Sequence, residues 1–224
     1  RDALLGRRPD DYDVATDATP QQVARLFSYT RHVGAAFGVM LVRQGRTWYE
    51  VATFRSDGPY RDGRRPAHVQ FTDARQDALR RDFTVNGMFL DPVAETVLDY
   101  VGGREDLARR TIRAIGVAGD RFAEDYLRVL RAVRFAARLD FVIDPQTEQA
   151  VRQNAPRIVS VAAERIREEL EKMLSHSGRV RAVELMRDCG LLAWLWPGAT
   201  WRPAALDDAL ALLRGLPPGA DFPT

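Results

Sequence analysis

Cysteine is almost absent from the sequence: Cys189 is the only one in 224 residues. That excludes an intramolecular disulfide and a zinc site built from several thiolates. Lysine is as scarce. Lys172 is the single lysine among 33 basic residues, so arginine carries the positive charge. A GC-rich coding sequence produces that bias, but arginine also suits phosphate recognition because a guanidinium binds phosphate bidentately. Charge of one sign is lacking too: the net charge is +2, which does not by itself imply a nucleic-acid partner. No apolar run approaches the roughly 18 residues of a membrane helix, and no secretory signal opens the chain. A cytoplasmic protein without membrane association is expected. The chain begins at Arg1 rather than Met and ends at Phe-Pro-Thr, so a fragment is expected.

What is present is a globular composition, 46% apolar and 29% charged, long enough for one large domain or two modest ones. Thr19-Pro20-Gln21-Gln22 is a helix start: Thr19 as N-cap, Pro20 in the first turn, Gln22 completing a capping box. That helix is expected to reach about Tyr29. AFGVMLV (36–42) and TWYEVATF (47–54), rich in β-branched and aromatic residues, predict an antiparallel hairpin about QGR (44–46). A polar loop (55–66), a short helix (73–81), then a strand, a Gly-Gly break and another short helix follow. Beyond Gly119 the pattern is helical, over 120–138, 146–154, 160–175, 179–190 and 203–214, with Asp144 and Ser160 as N-cap signals. An α+β half therefore precedes an all-α half.

Three constellations carry chemistry. Asp11 and Asp13, in GRRPDDYDVATDATP, fall on one face if the segment is a strand. Two carboxylates that close repel unless a cation lies between them, and oxygen-only ligation suits Mg²⁺. A solvated turn is the plainer reading of DDYD alone. A calcium loop is excluded, since Thr16 stands at its glycine position and Gln22 at its bidentate glutamate. An aspartyl phosphatase fits poorly, with Ala15 where Thr or Val belongs. A nucleotidyl transferase needs a third carboxylate from a neighbouring strand, and Glu50 inside TWYEVATF suits it. The second constellation is RRDFTVNG: Arg80 and Arg81 offer phosphate donors, Asp82 and Asn86 ribose partners, although such a run also caps a helix. The third is RFAEDYLRVLRAVRFAARL. Tyr126, Leu127, Leu130, Val133 and Ala137 form an apolar stripe, and Arg128, Arg131, Arg134 and Arg138 a basic ridge on another face. Asp125 and Arg128, three apart, can act together. An Asp acceptor beside an Arg donor matches cytosine and adenine, whose pairing edges set an amino group next to a ring-nitrogen acceptor.

In their order, these segments resemble the class II tRNA nucleotidyltransferase and bacterial poly(A) polymerase family. RDALLGRRPDDYDVAT resembles its first motif, RRDFTVNG its second, DYVGGREDL its hinge, EDYLRVLRAVRFAARL its base-recognition helix, and ERIREELEKML (164–174) the helix that braces it. The resemblance implies a polymerase-β-like antiparallel-sheet head over 1–115, a helical neck over 116–176 and the start of an incomplete helical body over 177–224. It implies that Asp11 and Asp13 bind two Mg²⁺ ions, with Glu50 as the third acid. Arg1 matches an arginine near the triphosphate. Arg80, Arg81, Asp82 and Asn86 match phosphate and ribose positions, and Glu124, Asp125 and Arg128 the group that selects CTP and ATP. The implied reaction adds CCA, or its terminal A, to a tRNA 3′ end without a template. Poly(A) synthesis and a catalytically silent RNA-binding relative are the alternatives. Two departures stand out: the Gly-Gly that opens the first motif is absent ahead of Arg1, and no tail follows the body. Ala35 and Ala36 occupy positions where poly(A) polymerases tend to carry arginines, and DGRRP (62–66) resembles the loop linked to A addition. The first favours the tRNA branch, and the second favours a member that adds A over one that adds only CC.

Overall fold

A computed structural model describes residues 1–9, 11–34, 37–60, 66–199 and 202–217. The chain divides into two compact units, Arg1–Arg104 and Glu105–Thr224. Ala35, Ala36 and most of the DGRRP loop lie outside the described residues.

The first unit is built on a four-stranded sheet. Strand β1 is Val14–Thr16, helix α1 Pro20–Leu26, and strands β2, β3 and β4 are Thr30–Gly34, Val39–Gln44 and Thr47–Thr53. The sheet order is β1-β4-β3-β2. The predicted hairpin is present, Gln44 pairing with Thr47 across Gly45-Arg46. Gly45 takes a φ of 62°, the left-handed value that favours glycine in so tight a turn. The sheet is mixed rather than purely antiparallel, because β1 runs parallel to β4. Helix α1 and the β2–β3 pair supply the long crossover that a parallel neighbour requires. The Thr19–Gln22 capping box forms as predicted, with Gln22 N–H donating to Thr19 Oγ1 and Thr19 N–H to Gln22 Oε1. The helix ends three residues early, at Leu26. Its Val23 packs on Met40, Val42 and Val51, the core on one face of the sheet.

Strands β5 (Arg55–Asp57) and β6 (Val69–Phe71) pair, helix α2 (Ala74–Leu79) follows, and a 3-10 turn (Thr84–Asn86) leads to the hairpin of β7 (Met88–Asp91) and β8 (Thr96–Asp99). The Gly-Gly of DYVGGREDL has a physical cause at each position. Gly102 has a φ of 79°. A Cβ on Gly103, the first residue of α3 (Gly103–Ala108), would stand 2.3 Å from the Thr84 carbonyl oxygen. Asp99 accepts from the backbone N–H groups of Val101, Gly103 and Arg104 at 3.1, 3.0 and 2.9 Å.

In the second unit the predicted 120–138 helix is two helices, α4 (Ala118–Glu124) and α5 (Leu127–Leu139). They break at Asp125, whose φ and ψ of −155° and 105° are extended and whose Oδ1 accepts from Leu127 N–H at the start of α5. Short strands β9 (Thr111–Ile112) and β10 (Val142–Ile143) pair beside α5. Helices α6 (Pro145–Asn154), α7 (Ala163–Leu174), α8 (Arg179–Asp188), α9 (Leu192–Leu195) and α10 (Pro203–Gly215) complete the unit. Asp144 is the N-cap of α6 as predicted, but Ala162, not Ser160, is that of α7. Ser160 Oγ instead donates to Arg157 O at the end of a 3-10 segment. Helix α5 is central, packed by α4, α7 and α8, and eleven of its thirteen residues are buried. The predicted basic ridge is therefore partly buried, with Arg131 and Arg138 half-exposed. Arg128 and Arg134 are only 8% exposed, and acids on neighbouring helices meet them. Tyr126, placed in the apolar stripe, is half-buried at the N-cap of α5. Cys189 is enclosed, and burial pushes its thiol up to about 11, which makes it a poor nucleophile.

Candidate active site

The predicted site residues form a cluster in each unit. In the first, Asp11 and Asp13 precede β1 instead of lying within it; they are exposed, and Tyr12 N–H donates to Asp11 Oδ1 at 2.8 Å. Acid was placed in a strand by the sequence reading, whereas the pairing begins one residue later, at Val14↔Val51. Continued back by one residue, that register sets Asp13 level with Glu50. The electrostatics agree. Glu50 is raised above the ordinary glutamate value, first by burial, then by the charges of Asp13 and Asp11. Three carboxylates thus sense one another where the start of β1 meets the middle of the parallel strand β4. Among the described residues no group of three His, Cys, Asp or Glu side chains is arranged to hold a metal ion by itself. The donor set is all oxygen and mutually repelling. It suits a hard divalent cation that takes its remaining ligands from water and substrate phosphate.

Beside the acids' sheet, the RRDFTVNG segment is organised by a residue that the sequence reading missed. Asp77, on α2, is 2% exposed. Its Oδ1 accepts from Arg80 Nε and Nη2 at 2.9 and 2.7 Å, and its Oδ2 from Arg81 Nε and Nη2 at 3.1 and 3.0 Å. One carboxylate therefore splays two adjacent guanidinium groups. Arg81 also donates to the Asn86 carbonyl at 3.1 Å and lies over the Phe89 ring at 4.6 Å. Arg80 further reaches Asp57 at 3.5 Å, where Arg55 is bound too. Asp82 accepts from Asn86 Nδ2 at 3.1 Å, and Asn86 Oδ1 accepts from Arg1 Nη1 at 2.7 Å. Arg1, Asp82 and Asn86, the first far from the others in sequence, are thereby joined in one chain of hydrogen bonds. The spacing of Asp77 to Arg80 and Arg81, three and four residues on a helix, was the signal available for it.

In the second unit Glu124, Asp125 and Arg128 come together, but not in the predicted pairing. Arg128 pairs with Glu124 and donates to the Arg121 carbonyl at 2.7 Å; Arg121 also binds Glu124, at 2.9 Å. Asp125 is engaged by Arg165 of α7, through Nη1 at 3.1 Å and Nη2 at 2.7 Å. The helix break rotates Asp125 away from an i, i+3 pair and towards α7. A second tie runs from Arg134 to Glu169 at 2.6 Å, so α7 does brace α5. Nothing near Asp125 in the sequence marks Arg165, because its partner is 40 residues away. Two cavities of about 380 Å³, one lined by Asp17, Gln22 and Arg25 and one by Arg113, Asp144 and Gln149, contain none of these residues.

An acid-bearing mixed sheet followed by an arginine-held turn defines the nucleotidyltransferase head class, and residues 1–113 match the family described as Poly A polymerase head domain. The chain belongs to that family. Residues 140–201 match a second, described as the probable RNA and SrmB-binding site of polymerase A. The chain is 45% identical over 213 residues to the CCA-adding enzyme of Geobacillus stearothermophilus, covering 94% of this chain and 52% of that one. It is similar, at a TM-score of 0.82 and 40% identity, to the Bacillus stearothermophilus CCA-adding enzyme solved with CTP, covering 95% of this chain and 50% of that one. A tRNA nucleotidyltransferase solved with a primer tRNA and an incoming ATP analog has a TM-score of 0.75 at 27% identity, over 94% and 61% of the two chains. The chain spans about half the length of the curated relatives it matches. No helix among the described residues is long and apolar enough to cross a membrane.

Proposed function

We propose that this chain carries the catalytic and base-selecting parts of a cytoplasmic, template-independent RNA nucleotidyltransferase that adds CCA, or its terminal A, to tRNA 3′ ends. The observation that carries the reading is the convergence of Asp13, Asp11 and Glu50, which leaves Glu50 harder to ionise where two parallel strands meet. Similarity to CCA-adding enzymes, one of them solved with CTP, supports the choice of reaction. We assign 1–115 to a catalytic head, 116–176 to a neck and 177–224 to the beginning of a body.

Asp11 and Asp13 would hold the metal, with Glu50 as third acid. Mg²⁺ is the ion their oxygen-only donors suit; bound there, it lowers the pKa of the RNA 3′-hydroxyl and offsets charge on the phosphates. The hydroxyl attacks the α-phosphorus in line, and pyrophosphate leaves. Arg80 and Arg81, fixed by Asp77, present guanidinium edges to the triphosphate. The Arg1–Asn86–Asp82 chain orients polar groups towards the ribose. Asp125 accepts from the exocyclic amino group of C or A while Arg128 donates to the adjacent ring nitrogen. Uracil and guanine offer the reverse order and are rejected because buried polar groups would be left unpaired. Glu124 and Arg165 hold these two in place.

The head-domain match also favours a second reading, poly(A) synthesis. Offering the full protein three tRNAs, ending before CCA, after C and after CC, with CTP or ATP, separates the two: defined additions support tRNA repair, and long A tails on unrelated RNA support poly(A) synthesis. Asp13→Ala should abolish addition while RNA binding persists. Activity surviving that change would remove the metal assignment.

A further inference from the structure

The sheet face that carries the acids also carries arginines stacked on aromatic rings. Its register shows this directly. Glu50 pairs with Leu41 and Leu41 with Arg31, a row across β4, β3 and β2 that Asp13, one residue ahead of β1, extends when the β1–β4 register is continued back. In the neighbouring row Trp48 pairs with Arg43, whose N–H donates to Tyr29 O at 2.9 Å. Trp48 and Glu50 are two residues apart and project from the same face. The opposite face holds Met40, Val42 and Val51 against α1. Here Arg31 lies 4.6 Å over the Trp48 ring, and Arg43 lies 4.2 Å over Tyr29 and 5.9 Å from Trp48. Tyr29 is 60% exposed and Arg31 is exposed.

These arginines differ from Arg55, Arg80 and Arg81, which are each forked onto Asp57 or Asp77. Arg31 and Arg43 form no ion pair among the described residues. A guanidinium stacked on a ring keeps its N–H edge in plane and available, with up to five donors. A face that pairs unneutralised guanidinium groups with partly exposed rings is chemically matched to single-stranded nucleic acid, whose phosphates take the donors and whose bases stack on the rings. Arg31 stands two strand spacings, about 10 Å, from Glu50 in that row.

We infer that Tyr29, Arg31, Arg43 and Trp48 form a platform that grips the single-stranded 3′ end of the RNA substrate beside the carboxylates. The inference rests on the proposed reaction for the identity of the strand. Fold stability alone gives little reason for two arginines there, since a guanidinium stacked on a ring in solvent adds little to it.

The test is direct binding of a fluorescein-labelled single-stranded RNA ending in CC, by anisotropy over a salt series, to the full protein. Arg31→Gln with Arg43→Gln should weaken affinity at least about tenfold and flatten the salt dependence by about 1.4 units of log–log slope, the value for two lost phosphate contacts on a single strand. Arg25→Gln, on α1 at the other face, is the control for general loss of charge and should change affinity less than twofold. If the double Gln variant does not fold by circular dichroism, Arg31→Lys with Arg43→Lys decides: charge kept but the planar fork lost, with affinity expected to fall about threefold. Affinity and salt slope unchanged in a folded variant would overturn the platform. Binding that depends on Arg31 and Arg43 in a protein that extends no RNA would support the platform and sink the proposed reaction. Extension with binding independent of them does the opposite.

Discussion

Asp77→Asn is the sharpest perturbation of the head, because one buried carboxylate positions two arginines. Asp77 accepts five hydrogen bonds, two from Arg80, two from Arg81 and one from Arg55 N–H at 3.2 Å. Asparagine keeps the shape but only one acceptor oxygen; its NH₂ would face the N–H edge of Arg81 or Arg80, donor against donor. Two charge-assisted bonds are lost, each about 1.5–3 kcal/mol. Breaking a fully buried pair costs about 3–5 kcal/mol. The arginine side chains are 22% and 32% exposed, so water compensates part of this and the lower end, about 3 kcal/mol, is expected. The assay is urea unfolding at pH 7 followed by fluorescence of Trp48, the one tryptophan in residues 1–104, with Trp194, Trp196 and Trp201 replaced by Phe in both proteins. At a slope of about 1.5 kcal/mol per molar urea, the midpoint should fall by about 2 M. The KM for nucleotide triphosphate should rise as well, because the guanidinium groups lose their orientation. A stability change under about 0.5 kcal/mol would refute the reasoning: Arg80 and Arg81 would then be as well served by water as by Asp77.

The sequence made legible whatever depends on neighbours in the chain. The Thr19–Gln22 box, the hairpin about Gly45-Arg46 and the Asp144 cap all rest on spacings of a few residues, and all are present. The order of motifs was legible for the same reason, and the α+β class with it. What depends on distant packing was not. An uninterrupted helical period hid the break at Asp125, whose carboxylate meets Arg165 of α7, forty residues on. Amphipathic spacing put the arginines of α5 on one face but named no partner for them. In the fold α7 brings Glu169 against Arg134 and α4 brings Glu124 against Arg128, and these two arginines of the ridge are buried with their charges paired. The placement of Asp11 and Asp13 within a strand failed at the strand's start: β1 begins at Val14, one residue after Asp13 and three after Asp11. The strand starts where alternation meets the core at Val51, and the acids sit at its mouth. The aromatic-stacked arginines left no signal at all: Tyr29, Arg31, Arg43 and Trp48 become neighbours only through the β2–β3–β4 register.

Two further predictions separate packing from electrostatics in the head. Gly103→Ala would put a methyl group 2.3 Å from the Thr84 carbonyl oxygen and 2.8 Å from Met88 Cγ, and since backbone yields poorly it should cost about 1–3 kcal/mol in urea unfolding; wild-type stability would show that the contact relaxes freely. Glu50→Gln should act in the other direction and with pH. Burial, then Asp13, then Asp11 raise the Glu50 carboxyl above its ordinary 4.5, so the folded state holds that proton more tightly than the unfolded chain does. Stability is therefore lost as pH rises from about that ordinary value through the raised folded one, and the loss is complete above it. Glutamine removes the charge, so the variant should gain on wild type across that window and match it in more acidic solution. Because the side chain is largely open to solvent, screening holds the gain to about 0.5 kcal/mol. Thermal unfolding from about pH 4 to pH 8 measures it, and added Mg²⁺ should narrow the gap by relieving the repulsion in the wild type alone. A difference that stays constant with pH, or a variant less stable at neutral pH, would mean that Glu50 does not share the field of Asp11 and Asp13, and the three-carboxylate site would lose its physical basis.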